Sequence, residues 1–290
     1  GRTPYFGHNQ IAIFSDKVAS RTDFGSVLDI FLRDAEVKRS LMVFVSSGDA
    51  RNILEIKPDN NQVPAQYIQS VSGNIYKTSH MIHEVTLDDV HQFLLGKVSY
   101  VLPRIMASEN EIRINGAAVI QGNTNKMVGF LDEDETKGLN FVLAKIEGGY
   151  LNSKMKNNLV ALEIDGVKSK IKEDISNPAK FKFTIHIQCS GRLAEKFTQL
   201  NLLSRDVIDD LEKHFANEIV RLVKLAVHKL QHEYNADVLG LYDILREDHH
   251  DVWKQIKDDW DHGQNLFSKC EINVTAETEI TRRGTINRSH

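Results

Sequence analysis

Apolar and polar positions along this chain follow two different periods, which predict both strands and helices. The continuous apolar run Leu41–Val45 predicts a strand that is buried on both faces. Residues 204–234 carry apolar side chains at helical spacing, which predicts one long helix laid across a sheet. After Pro103 the alternation of strands and helices gives way to hairpin-like segments, so a domain boundary is expected near Ser108.

The segment before this boundary predicts two strands and four helices. The strands are Ile11–Phe14 and Leu41–Val45. The helices cover residues 23–36, a short stretch opened by Ser47-Gly48-Asp49 and ending near Ile56, residues 64–78, and residues 86–95. Thr86 is the expected N-cap of the last of these helices, and Gly96 is expected to end it.

The segment after the boundary predicts hairpins followed by the long helix. The turns are expected at Asn115-Gly116 and at Asp165-Gly166, because both dipeptides accept the backbone conformation of a tight turn. The other expected elements are strands at Glu111–Ile114, Ala117–Ile120, Met127–Leu131, 180–189 and 269–282, a helix beginning at Asp132–Glu135, the helix 204–234 with Ser204 as N-cap, and two short helices.

These elements predict an α+β fold with mixed and antiparallel sheets flanked by helices. At least two domains are expected, an N-terminal α/β-type domain over residues 1–108 and a C-terminal domain over residues 109–290. In the second domain, the long helix crosses a sheet built from hairpins. The length of 290 residues agrees, since a domain holds about 150 residues.

Composition excludes several classes of protein. The 36 basic and 40 acidic residues give a net charge of −4, which excludes a nucleic-acid binder that works through bulk positive charge. No apolar run approaches the ~20 residues of a membrane-spanning helix. The N-terminal residues Gly1-Arg2-Thr3-Pro4 lack the apolar segment of a signal peptide.

The two cysteines, Cys189 and Cys270, lie on the apolar faces of predicted strands. Two buried, free side chains are the favoured interpretation, and a disulfide between them stays open. Two cysteines are too few for a disulfide scaffold or a cysteine-rich zinc site.

No motif argues for catalysis or for a cofactor. The turn Ser46–Asp49 lacks the glycine and lysine pattern of a phosphate loop, so Ser47 or Asp49 is expected to cap a helix. The acidic run that begins at Asp132 misses the spacing of a calcium loop, because Leu143 occupies the position of the bidentate glutamate. It is expected to be a helix start stabilised by the helix dipole.

His228 and His232 are four residues apart on the long helix, so both could reach one zinc ion. No glutamate in the metalloprotease position lies between them. A solvated helix face is favoured, and a metal-dependent hydrolase is the alternative.

Trp253, Ile256 and Trp260 recur at helical spacing, which predicts both tryptophans on one helix face. Packing in the core is favoured, and an aromatic anchor for a partner protein is the alternative.

An ordered set of segments resembles the C subunits of spore nutrient-germinant receptors, the Ger(x)C (GerAC/GerBC-like) lipoprotein family, over roughly residues 5–284. The segments are Gly7-His8, Phe31–Glu36 with Arg39, Ala50–Leu54, Leu102-Pro103, Gly116–Val119, Lys126–Leu131, Glu135–Gly138, Gln231 with Asp237 and Gly240, Trp253–Trp260, and Arg283-Gly284.

This resemblance implies a non-enzymatic subunit of a three-part receptor that triggers germination in response to nutrients. Its implied partners are two polytopic membrane subunits, one of them transporter-like, and no nucleic acid. The implied location is the outer face of the spore inner membrane. Family members carry a lipid-modified cysteine ahead of the matching region, so the anchor is implied by the resemblance and is not among these residues.

Two surfaces are the candidate partner contacts: the face of Trp253 and Trp260, and the segment Glu135, Thr136 and Lys137. Besides the hydrolase with His228 and His232 as ligands, a third function stays open, a module that binds the nutrient itself.

Overall fold

The computed structural model describes residues 8–56, 63–108, 111–155, 158–177, 180–194 and 205–281. The strands of this part are β1 (Ile11–Ser15), β2 (Met42–Ser46), β3 (Tyr100–Ser108), β4 (Glu111–Gln121), β5 (Lys126–Leu131), β6 (Tyr150–Met155), β7 (Asn158–Asp174), β8 (Lys182–Leu193) and β9 (Glu271–Ile280). The α-helices are α1 (Asp16–Arg21), α2 (Phe24–Arg33), α3 (Ala50–Glu55), α4 (Pro64–Ser72), α5 (Leu87–Gly96), α6 (Glu133–Val142), α7 (Arg205–His228), α8 (Leu241–Asp248), α9 (His250–Ile256) and α10 (Leu266–Lys269).

The first sheet has five strands in the order β1-β2-β3-β4-β5. The pairs β1–β2 and β2–β3 are parallel, and the pairs β3–β4 and β4–β5 are antiparallel. All five residues of β2 are buried, as the apolar run predicts for a central strand. Val43 and Val45 face the large core with α2 and α5, whereas Met42 and Phe44 face a smaller core with α3 and α4. This sheet is therefore covered by helices on both faces.

The second sheet has four strands in the order β6-β7-β8-β9. Its first three strands are antiparallel, and β9 is parallel to β8. Phe183, Ile185 and Ile187 of β8 share a core with Phe215 and Ile219 of α7. The predicted long helix across a sheet is confirmed, and so is the α+β class. Strands β3 and β4 pair on either side of residue 108, so one sheet contains both flanks of the expected boundary. The division into residues 1–108 and 109–290 stays a prediction.

The two predicted hairpin turns are wrong, because both dipeptides lie inside long strands. Asn115-Gly116 belongs to β4, where the register against β3 shifts between Pro103 and Ile105. Gly116 has a φ of 78°, and a Cβ there would lie 2.6 Å from the carbonyl oxygen of Leu131. The glycine is thus required by a β-bulge and not by a chain reversal.

The second dipeptide, Asp165-Gly166, belongs to β7. There the register against β8 shifts between Ile164 and Gly166, which leaves Asp165 as the extra residue. The strand continues through this bulge to Asp174, so the second sheet gains length where the dipeptide predicts a turn.

The helix starts follow the local signals more closely than the helix ends. Thr86 and Asp132 both form capping boxes, with Asp89 and Glu135, and Asp49 caps α3. The predicted helix 23–36 ends at Arg33, and the predicted helix 64–78 ends at Ser72 before a 3₁₀ turn. The long helix begins at Arg205 and finishes in a π turn, Lys229–Tyr234. Its expected cap, Ser204, lies outside the described residues.

None of the helices in the described ranges combines the length and the apolar character that crossing a membrane demands.

Candidate functional site: a buried junction between the two sheets

The segment that follows the π turn forms a buried polar junction with the first sheet. Its centre is Asp237, which is fully buried between Ala236 and Val238. The Nε1 of Trp260 and the backbone N–H of Tyr242 each donate to Asp237 Oδ2 at 2.8 Å. The backbone N–H of Leu239 donates to Oδ1 at 3.0 Å. Three donors therefore converge on one carboxyl group.

The electrostatics of Asp237 reflect two opposing effects. Burial raises the pKa of Asp237 from 3.8 to about 7, because the low-dielectric interior disfavours the charged form. The hydrogen bonds from Trp260, Tyr242 and Leu239 act in the opposite direction, since they stabilise the carboxylate. The nearby charge of Asp261 adds to the increase. The protonation state of this carboxyl group therefore depends on pH in the folded protein.

Asp261 connects this centre to the first sheet. Ser99, which precedes β3, donates its hydroxyl to Asp261 Oδ2 and accepts the backbone N–H of Gly122 at 3.0 Å. Gln121, at the end of β4, donates to the carbonyl oxygens of Asn235 and Asp261 at 3.4 Å. The junction thus ties the β3–β4 region to the segment that leads into β9.

The structure corrects the expected position of the two tryptophans. They do not share one helix, because α9 ends at Ile256 and a 3₁₀ turn separates it from Trp260. Trp260 is only 2% exposed and its ring lies near Phe181, Phe183 and Phe267. The ring of Trp253 is 6.2 Å away from it and is half-buried. Trp260 therefore belongs to the core, as the favoured interpretation states, and only Trp253 keeps exposed surface.

The second group of contact candidates lies at the start of α6. Glu135 completes the capping box, and burial raises its pKa while the N–H of Asp132 acts against that increase. Lys137 points its Nζ towards the carbonyl oxygen of Tyr150 at 3.5 Å, and burial lowers its pKa. Thr136 is fully buried. The structure thus corrects the surface role expected of Thr136, whereas Glu135 and Lys137 keep part of their surface.

Two glycines of the resembling segments are required by close packing. A Cβ on Gly129 would overlap the ring of Tyr234, whose hydroxyl donates to the carbonyl oxygen of Phe130 at 2.7 Å. A Cβ on Gly138 would overlap the backbone carbonyl of Leu222, where α6 crosses α7. These residues shape contacts between elements and leave no room for a side chain.

Gly138 supplies a direct test of this packing. Replacing Gly138 with alanine is expected to lower the free energy of unfolding by about 2 kcal/mol, because the backbone of α7 must move away. The matched control is Gly73→Ala, since a Cβ on Gly73 would meet nothing within 4 Å and its φ is not positive. That change is expected to be neutral or stabilising by about 0.5 kcal/mol. Urea unfolding of both variants measures the difference, and equal effects would contradict the packing role.

His228 and His232 are both exposed, and their ring centroids are 5.0 Å apart. Among the described residues no group of three or more His, Cys, Asp or Glu is placed to hold a metal ion. The pair therefore has no third ligand within the described ranges.

Cys189 and Cys270 are buried free thiols, and burial raises the pKa of each to about 12. Both are therefore protonated and unreactive at neutral pH, which agrees with the interpretation as small apolar side chains.

Ser99, Asp237 and Asp261 form the junction, but the sequence motifs single out only Asp237, and only through the resemblance. A local signal exists for Asp237, because one carboxylate lies inside the apolar run Ala236–Leu239. No local signal exists for Ser99 and Asp261, which are 162 residues apart in the chain.

The fold matches that of a solved protein. The crystal structure of the GerBC protein superposes with a TM-score of 0.80 and 26% sequence identity, over 97% of this chain and 82% of that one. The class defined by the fold is therefore a two-sheet α+β protein of the GerBC type.

Family models match both the N-terminal and the C-terminal half of the chain. A model described as the spore germination protein N-terminal domain matches residues 1–107, and one described as spore germination B3/GerAC like, C-terminal, matches residues 115–284. The chain belongs to this GerAC-like family of spore germination proteins, which confirms the resemblance.

Two curated relatives from Bacillus subtilis (strain 168) are also named spore germination proteins. Spore germination protein YndF is 31% identical over 98% of this chain and 70% of its own length. Spore germination protein B3 is 29% identical over 98% of this chain and 76% of its own length.

Proposed function

We propose that this chain is a non-enzymatic subunit of a spore germinant receptor, which assembles with two polytopic membrane subunits to trigger nutrient-induced germination. One of these partners is transporter-like. The observation that carries the proposal is the family match over both halves of the chain, together with relatives that are named spore germination proteins.

The residues of the family-like segments make packing contacts and hydrogen bonds between elements, which supports a subunit that acts through contacts with partners. Gly129 and Gly138 allow close packing, while Asp237 and Trp260 hold the junction through a buried hydrogen bond. The Ser99–Asp261 hydrogen bond and the shared core connect the two sheets. Two connected sheets suit a subunit that passes a change in one partner to another.

The proposed location is the outer face of the spore inner membrane, with a lipid anchor on the full-length protein. One acyl chain binds a membrane only marginally, so the anchor and the contacts with membrane subunits act together. Trp253, Glu135 and Lys137 keep exposed surface and stay the candidate contacts.

Co-purification tests the assembly. The tagged natural gene product is isolated from dormant-spore membranes in a mild detergent, with an unrelated tagged spore lipoprotein as the control. Two polytopic membrane proteins are expected in the eluate of this subunit and not in that of the control. A subunit that elutes alone in several detergents would contradict the proposal.

A further inference from the structure

Strand β7 leaves part of its edge open. Strand β6 pairs with β7 only between Asn158 and Glu163, whereas β7 continues to Asp174. On the side away from β8, no other strand or loop of the described chain pairs with residues 167–173. An open edge of this length presents unpaired backbone donors and acceptors, which is the surface that strand addition uses.

The direction of these backbone groups follows from the strand geometry. Ile164 faces the core, and its N–H points to the β6 side, where it donates to the carbonyl oxygen of Gly149 at 2.9 Å. Along one strand, side-chain direction and hydrogen-bonding direction alternate together. Val167 and Ile171 also face the core. Their N–H and C=O groups therefore point to the open edge, as do those of Ser169 and Glu173.

A row of positive charge runs along the same edge. Lys168, Lys170 and Lys172 are exposed and pair with Gln188, His186 and Thr184 of β8, on the sheet face opposite α7. The ion pairs found on this face join other residues, as Lys180 does with Glu271. In the described part of the chain the three lysines have no carboxylate partner.

We infer that the open edge of β7 binds an extended segment of a partner protein as an additional strand, and that this segment carries acidic residues at every second position. Carboxylates on the face of Lys168, Lys170 and Lys172 complete cross-strand ion pairs. The intervening residues lie beside Val167 and Ile171, which are half-buried against the main core, so apolar side chains fit there. The same lysines repel a basic strand, which gives the edge its selectivity.

This inference does not depend on the assignment as a receptor subunit, and the purified chain tests it. The probe is a fluorescein-labelled peptide of about twelve residues that alternates Glu and Val. Saturable binding by fluorescence anisotropy is expected, and it weakens as salt is added. The variant Lys168→Glu/Lys170→Glu/Lys172→Glu is expected to bind roughly tenfold or more weakly. Circular dichroism checks that the variant folds.

Two controls separate strand addition from general attraction. The variant Lys213→Glu/Lys224→Glu/Lys254→Glu has the same net charge, changes three exposed lysines elsewhere, and is expected to keep its affinity. Because alternate N–H groups of a strand point to opposite edges, two further peptides are used, one N-methylated at every Glu and one at every Val. The peptide whose methyl groups face β7 loses the N–H donors to this edge and is expected not to bind. Equal losses in both lysine variants, unchanged binding of both methylated peptides, or no binding at all would overturn the inference. So would dimerisation by sedimentation that the β7 variant abolishes while the peptide fails to bind, because the edge would then belong to a second copy.

Discussion

Replacing Asp237 with asparagine is expected to lower the free energy of unfolding by about 3 kcal/mol at pH 5, and by less at higher pH. Whichever way the amide turns, its nitrogen faces an N–H donor, because Trp260 and Tyr242 donate to Oδ2 and Leu239 donates to Oδ1. The folded pKa of Asp237 lies at about 7, above its ordinary value of 3.8. A proton is therefore taken up on folding between these values, and wild-type stability falls as the pH rises through this window.

The asparagine variant lacks this titration, so the difference between its unfolding free energy and that of the wild type is expected to narrow by about 2.6 kcal/mol between pH 5 and pH 8. Urea unfolding at several pH values measures the difference directly. Asp258→Asn is the matched control, because Asp258 is exposed on the neighbouring turn, and it is expected to show no such trend. A difference that stays constant or widens with pH would mean that the three donors keep Asp237 ionised at pH 5.

Replacing Trp260 with alanine is expected to lower the free energy of unfolding by about 4 kcal/mol. The change removes a ring that is 2% exposed and packs among Phe181, Phe183 and Phe267. It also removes one of the three donors to the Asp237 carboxyl group. Guanidinium unfolding followed by circular dichroism measures the loss.

Trp253→Ala is the matched comparison, because Trp253 is half-buried and its ring lies next to the same aromatic group. A loss of about 1 kcal/mol is expected there. If the alanine variant of Trp260 does not fold, Trp260→Phe keeps most of the packing and still removes the hydrogen bond to Asp237. Equal losses at the two tryptophans would contradict their different placement.

The resemblance and the local signals together predict much of this protein. Helix starts at Thr86 and Asp132 follow from capping residues that act within one turn. The buried strand β2 follows from its apolar run, and the long helix α7 follows from its stripe at helical spacing. The family follows from the order of its short segments, and the matches over residues 1–107 and 115–284 confirm it.

The two wrong turn predictions show what a local sequence signal cannot distinguish. A dipeptide such as Asn115-Gly116 permits a positive φ, and both a hairpin turn and a β-bulge use that conformation. The choice depends on whether neighbouring strands pair on both sides, and β4 lies between β3 and β5.

By itself the sequence therefore determined helix starts such as Thr86 and Asp132, the buried strand β2 and the long helix α7, because capping and periodicity act between residues close together in the chain. From these elements it also determined the α+β class, and the order of its short segments determined the family. Only the tertiary structure decided that Trp260 is buried while Trp253 is partly exposed, and that Ser99 and Asp261 meet although 162 residues separate them in the chain. It also decided that β7 extends beyond its pairing with β6 and leaves part of its edge unpaired. Burial, hydrogen-bond partners and open edges depend on which distant segments pack together, and no local pattern records that.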